Sequence, residues 1–311
     1  MPLRTSALRG FLLALLLAAG ARAQAPAAPP AEPGALGAEL HAKVARQLAR
    51  MAADFDGVMG IAARDLGTGD RFEINADGIF PQASSIKIPI LIELYRQAQV
   101  GTLKLDERVE VKRAQMVDGS GVLALFGDAS SALSLHDLAV LMIVLSDNTA
   151  TNVLIDRVGM ENVNHTLQRL GLAHMRLQRR MMDTDAQRAG RENLSTPRDM
   201  IQLLALLYQG KAIDPERTSA VVEILRYPKD SPLRRGTPAT LALADKPGSM
   251  DGVRCDSGIV MLAGRPYAIS VMTTYIGDGD AAERAIADAA RVAYDYFQRL
   301  ARSNPLGARV P

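Results

Sequence analysis

Apolar positions recur along this chain at two spacings. Over residues 38–55 they return every three or four places, the period of a helix with one face on a core. Residues 57–66 and 71–75 are short and strand-like, and Gly67-Thr68-Gly69 between them predicts a hairpin turn. Residues 80–95 (FPQASSIKIPILIELY) come next. A small polar turn there runs into Ile86, Ile88, Ile90, Leu91, Ile92 and Leu94, too hydrophobic for a surface helix, and Lys87 sits inside that run.

Residues 101–130 hold Gly- and Asp-bearing loops without a period. Ser134-Leu135-His136-Asp137 reads as a capping box, opening a helix through Leu145 that is apolar nearly all round. Residues 160–170 predict a further helix, stopped at Gly171, and 172–194 a long loop of the kind compact domains keep for function. Ser195-Thr196-Pro197 starts a helix that Gly210 ends, and Asp214-Pro215 starts another. Beyond Thr240 the pattern turns to strands at 241–249, 257–263 and 267–274, with Gly264-Arg265-Pro266 between the last two. A long amphipathic helix over 280–301 closes the chain. This order predicts an α+β fold, an antiparallel sheet assembled from both chain ends with an all-α insertion. Residues 38–80 and 205–311 would form the sheet part and 81–204 the helical part.

Composition narrows the function. A chain of 311 residues, 48% hydrophobic and 23% charged, can bury a substantial core. Its net charge of +2, without a basic run carrying interleaved aromatics, argues against a nucleic-acid partner. Arg4 and Arg9 precede an apolar run over 11–19, and Ala21-Arg22-Ala23 offers a cleavage site before Gln24. Residues 1–23 therefore predict a signal peptide and 24–37 an Ala/Pro linker. The run is too short to span a bilayer, and the mature protein is expected in the periplasm, without a membrane span and as a monomer. The single Cys255 cannot form an internal disulfide and fits a small buried residue better than a nucleophile. His41, His136, His165 and His174 lack ligand spacing, and there is no Gly-rich phosphate loop. No metal or cofactor is expected.

Candidate chemistry begins at Ser84 and Lys87. Three residues apart at a helix start, both side chains rise from one face. An ammonium in an apolar helix is costly unless it has partners or sheds its proton, and a neutral lysine can activate a serine hydroxyl. Ser-x-x-Lys turns up about once by chance in a chain this long, with Ser84 as a helix cap and Lys87 reaching to water. Two further motifs weigh against chance: Ser146-Asp147-Asn148 where the apolar helix ends, and Lys246-Pro247-Gly248 in a predicted strand.

With these motifs the sequence resembles the class A β-lactamases, among the penicillin-interacting active-site-serine enzymes. The likeness runs from about residue 38 to the last helix and includes Asn75-Ala76-Asp77 and the stretch 146–152. It implies a five-stranded antiparallel sheet with flanking helices, a helical domain, and a groove between them. It further implies Ser84 as nucleophile and Lys87 as base or network holder. Ser146 would relay a proton to the leaving nitrogen, and Asn148 would bind the substrate amide. Lys246 would face the substrate carboxylate, and the N–H groups of Ser84 and Ser249 would form the oxyanion hole beside Gly248. Arg254 is either a second cation for the carboxylate or a surface arginine, and Asp147 a tie between loops.

Two positions depart from the family pattern. The long loop matches at Arg179, but the glutamate expected two residues on is Met181, and a thioether cannot act as a general base. Asp183 is the first substitute, ahead of Asp185 and Glu192, although each taken alone fits a loop-closing partner for Arg179, Arg180 or Arg191 better than a base. Pro247 replaces a hydroxyl residue, removing a hydrogen bond worth about 0.5–3 kcal/mol. The expected function is a serine hydrolase opening β-lactam rings through an acyl-enzyme on Ser84. The alternatives are a D-alanyl-D-alanine peptidase-like hydrolase, or a penicillin- or muropeptide-binding protein with slow deacylation.

Overall fold

A computed structural model describes residues 34–126 and 132–310. The expected signal peptide and linker residues 24–33 lie outside the described residues. Helix α1 (Ala35–Ala53) begins earlier than the pattern suggests, because Gly34 supplies an extended N-cap and Ala35 and Leu36 are strong helix formers. The hairpin follows as β1 (Val58–Asp65) and β2 (Arg71–Ile74). A short β3 (Phe80–Pro81) leads through a 3₁₀ turn, Ala83–Ile86, into α2 (Lys87–Gln99).

The helical stretch then unfolds in order. β4 (Arg108–Glu110), inside the strand-poor stretch 101–130, pairs with β5 (Ala132–Ser134) just beyond it. α3 (Leu135–Val144) opens on the expected capping box, Ser134 Oγ accepting from Asp137 N at 3.0 Å and Asp137 Oδ2 from Ser134 N at 3.3 Å. α4 (Asn148–Val158) and α5 (Met160–Arg169) follow. The long loop holds α6 (Thr184–Arg188) and ends in β6 (Leu194–Ser195), which pairs with β3. α7 (Pro197–Tyr208) is capped by Thr196 and α8 (Pro215–Arg226) by Asp214, each with proline in its first turn. The short α9 (Pro232–Arg235) precedes β7 (Leu243–Met250), β8 (Val253–Val260), β9 (Tyr267–Thr274) and α10 (Gly279–Ala301).

The five-stranded antiparallel sheet runs β2-β1-β9-β8-β7, so strands from the two chain ends meet at its centre. Side chains alternate across the strands. Met59, Ile61, Tyr267, Ile269 and Val271 face one core with Leu48 of α1 and Ile286, Tyr296 and Phe297 of α10. Ala62, Cys255, Ile259, Ala268 and Met272 face the other with α2, α3, α4, α5, α7 and α8. Phe297 stacks on Tyr267 at 4.4 Å between centroids, and burying such a ring contributes about 1.5–3 kcal/mol. No helix among the described residues is long and apolar enough to cross a membrane.

Candidate active site

The turn carrying Ser84 is fixed from several sides. Ala83 takes a left-handed φ of 43°, a strained conformation for a residue with a Cβ. Gln82 ties the turn to the end of the long loop, its N–H donating to Asn193 O at 2.8 Å and its Nε2 to Leu194 O at 2.7 Å. Gln82 O in turn accepts from Ser85 Oγ at 2.8 Å and Cys255 Sγ at 3.0 Å. β7 passes so close that a Cβ at Gly248 would lie 2.6 Å from both Gln82 O and Cys255 Sγ and 2.9 Å from Ser84 N. Gly248 is what lets the strand approach Ser84.

Lys87, the first residue of α2, is fully buried beside this turn. Its Nζ lies 2.7 Å from Ser146 O, 3.0 Å from Ser146 Oγ and 3.1 Å from Asn148 Oδ1, and Ser146 Oγ lies 2.8 Å from Ser84 Oγ. Burial first, and the Lys246 cation second, hold the Lys87 ammonium well below the ordinary lysine range, against the opposing pull of Asp147. Ser146 reaches this position through a left-handed φ of 53°. Asp147 caps α4 by accepting from Ala150 N at 2.8 Å, and its other oxygen accepts from Val122 N at 2.7 Å and Leu123 N at 2.9 Å. Asp147 therefore ties two loops behind the motif.

Across from this cluster, Lys246 is buried on β7 with Nζ donating to Pro247 O at 2.9 Å. Burial pushes its pKa down to about 8, with Asp256 pulling the other way. Ser84, Ser146, Lys246, Gly248, Ser249 and Arg254 line one groove of about 190 Å³, which also takes in Ser120 and Cys255. Arg254 donates to Met250 O and Val253 O, each at 2.9 Å, and its Nε sits 3.3 Å from Glu283, which also pairs with Arg235. Cys255 is buried, as expected, and burial pushes its thiol up to about 11.

The long loop places its carboxylates elsewhere. Arg179 pairs with Glu192 at 2.9 Å. Asn152 holds the Met181 backbone on both sides, accepting from its N–H at 2.8 Å and donating to its carbonyl at 3.1 Å. Met181 itself is buried in the helical core. Asp183 caps α6 and lines a separate hollow of about 300 Å³ with Met181, Met182 and Asn152. Exposed Asp185 pairs with Arg188. Among the described residues the carboxylates lining the Ser84 groove are Asp230 and Glu283, both engaged by Arg235.

Sequence reading misses Gln82, Asn152, Arg235 and Glu283. Asn152 carries a usable signal, since it stands four residues after Asn148 and so shares its helix face. The others have none, because their partners lie far away in the chain.

Comparison with known proteins agrees with this geometry. Residues 43–297 match the model of the β-lactamase enzyme family. The β-lactamase SME-1 of Serratia marcescens is 26% identical over 78% of this chain and 85% of that protein. The crystal structure of a β-lactamase from Sphaerobacter thermophilus DSM 20745 superposes with a TM-score of 0.74 at 31% identity, covering 82% of this chain and 97% of that one. A mutant of PBP-A, solved as an acyl-enzyme complex with penicillin G, superposes with a TM-score of 0.76 at 26% identity over 87% and 99%. A serine hydrolase fold with this Ser-Lys-Ser centre defines the class, and the chain belongs to the β-lactamase enzyme family as a class A member.

Proposed function

We propose that the protein opens β-lactam rings through an acyl-enzyme on Ser84 and clears that intermediate slowly. The observation that carries the first half is the chain Ser84 Oγ, Ser146 Oγ, Lys87 Nζ, with links of 2.8 and 3.0 Å. A neutral lysine has two N–H donors and one lone pair. Ser146 O and Asn148 Oδ1 are both acceptors, so they take the two donors. The lone pair is then left facing Ser146 Oγ, which can hand on a proton received from Ser84. Ser84 attacks the lactam carbonyl as its proton moves to Lys87 through Ser146, and the same path returns the proton to the departing nitrogen.

The N–H groups of Ser84 and Ser249 would receive the oxyanion. Ser84 sits in the first turn, where N–H groups have no earlier carbonyl to bond. Lys246 and Arg254 would hold the substrate carboxylate, and Asn148 the side-chain amide. Slow clearance is supported by Met181 and by the commitment of Asp183 to a helix cap on a separate hollow. The penicillin G acyl-enzyme described for the PBP-A mutant favours a second reading, a penicillin-binding protein whose adduct persists.

The start of the sequence supports export through a signal peptide cleaved before Gln24 and action in the periplasm as a monomer. A division into 38–80 with 205–311 and an inserted 81–204 fits a groove lined by both parts. Mass spectrometry after brief mixing with penicillin tests the proposal. An adduct on Ser84 that disappears over minutes to hours with released product supports the slow hydrolase. A permanent adduct supports the binding reading, and no adduct overturns both.

A further inference from the structure

Behind Lys246, on the opposite face of the edge strand, two carboxylates are buried together. Asp245 pairs across the ladder with Gly258, and Pro247 with Asp256. Asp245 and Asp256 are therefore diagonal neighbours on one face of the sheet, near enough for the charge of one to act on the other. Both are wholly inaccessible to solvent. Gly258 makes the space, for a Cβ there would lie 2.7 Å from the Asp245 Cβ.

Their oxygens divide into satisfied and unsatisfied. Asp245 Oδ1 accepts from Arg234 Nε at 2.9 Å and Nη2 at 2.7 Å, with Lys229 Nζ at 3.5 Å. Asp256 Oδ2 accepts from Leu233 N at 2.9 Å, and the Ser231 hydroxyl also favours the ionised carboxyl. Asp245 Oδ2 and Asp256 Oδ1 have no hydrogen-bond partner among the described residues. Two buried, unpartnered acceptors on adjacent acids are costly, and a single proton between them satisfies both.

We infer that Asp245 and Asp256 share one proton, carried on Asp256 Oδ1 and donated to Asp245 Oδ2, so that the pair bears one negative charge and acts as a positioning unit for Lys246. Asp245 is the ionised member because Arg234 and Lys229 both face it. Asp256 is the neutral one, and burial with the neighbouring Asp245 charge raises its pKa to about 8. The other titratable groups nearby, Lys246 and Cys255, lie on the opposite face of the sheet, while Arg235 of α9 turns outward to Asp230 and Glu283. With Asp256 neutral, no second anion lies behind Lys246 to cancel its charge at the groove. Loss of that proton would add such an anion, which would hold the Lys246 ammonium against deprotonation and screen its charge at the groove.

Only this kinetic consequence rests on the hydrolase reading. The proton itself is read without substrate, by infrared spectroscopy of the whole protein. The wild type should show a protonated-carboxyl stretching band at pH 7 that bleaches only as pH rises through about 8, and Asp256→Asn should remove it. A wild-type spectrum lacking the band at pH 7 overturns the inference, whatever the variant does.

Stability gives a second reading. An asparagine amide donates as the protonated acid does, so Asp256→Asn should melt at pH 7 no lower than the wild type, and Asp256→Ala several degrees lower. Equal losses in the two variants would mean an ionised Asp256 and would sink the proposal. In kinetics, Asp256→Asn should move the rise of KM for a carboxylate-bearing substrate to lower pH, because no anion can then form behind Lys246 to hold its ammonium. A purely structural residue would leave that profile in place.

Discussion

Replacing Gly248 with alanine tests whether β7 and the nucleophile turn form one rigid unit. The added methyl would sit 2.6 Å from Gln82 O, 2.6 Å from Cys255 Sγ and 2.9 Å from Ser84 N. Ordinary contact begins near 3.4 Å, so these atoms must separate by about 0.5–0.8 Å. None can swing away. Gln82 O is held by Ser85 and Cys255, the Gln82 side chain by Leu194, and the Cys255 backbone by two neighbouring strands. Overpacking of this kind costs about 1–3 kcal/mol, or roughly 2–10 °C in Tm for a protein of this size. The displacement falls on the attacking residue, where a 1 Å error costs about 10²-fold in rate, so acylation should slow about 10- to 100-fold. The assay is stopped-flow acylation with a chromogenic β-lactam beside thermal melts. Gly277→Ala is the control, since a Cβ there meets nothing within 4 Å and its φ is not left-handed. A Gly248→Ala protein with wild-type acylation and melting would refute the contact.

The remaining predictions follow the site inward. Lys87→Met should fold and bind substrate but acylate about 10²–10⁴-fold more slowly, measured as the rate of adduct growth by mass spectrometry. Asp147→Ala strands the N–H groups of Ala150, Val122 and Leu123 and should lose about 2–5 kcal/mol in urea unfolding. Because Lys246 titrates at about 8, KM for carboxylate-bearing substrates should climb as pH rises through 8. Its folded pKa lies below the unfolded value of about 10.4, so the Lys246 contribution to stability should grow between those two pH values, as pH-dependent melts would show. Met181→Glu places a carboxylate where Asn152 fixes the loop backbone and should shorten the life of the Ser84 adduct about 10²-fold or more; an unchanged lifetime in the folded variant would remove position 181 from deacylation.

What is legible in the sequence depends on how polar residues are used. Capping signals stand out at Ser134, Thr196 and Asp214, because a cap is a local contract between residues three apart. Helix α4 escapes sequence reading for the opposite reason. Asn148, Thr149, Thr151 and Asn152 are polar yet buried, bonding to Lys87, Val117, Asp147 and Met181. An apolar periodicity cannot appear where the inward face is made of amides and hydroxyls. The same inversion hides the first half of β8, where Asp256 and Cys255 point into the protein.

That inversion also explains why acylation and deacylation differ in how firmly they are built. The groups proposed for acylation hang on regular elements: Lys87 on α2, Ser146 just before α4 and Asn148 at its head, Lys246 and Gly248 on β7. All but the half-buried Ser146 are constrained by burial, so a substitution there disturbs the fold as well as the chemistry. Deacylation would have to come from residues 172–193, whose backbone is held mainly by Asn152, Asn164 and Asn193 reaching to carbonyl and N–H groups. Those clamps bond to the backbone, so the loop's hydrogen bonds do not depend on the side chain at position 181, which is held instead by its packing in the helical core. A chain under that arrangement can exchange a carboxylate for a thioether without losing the loop, keeping the capacity to form an acyl-enzyme while the rate of its release is set separately.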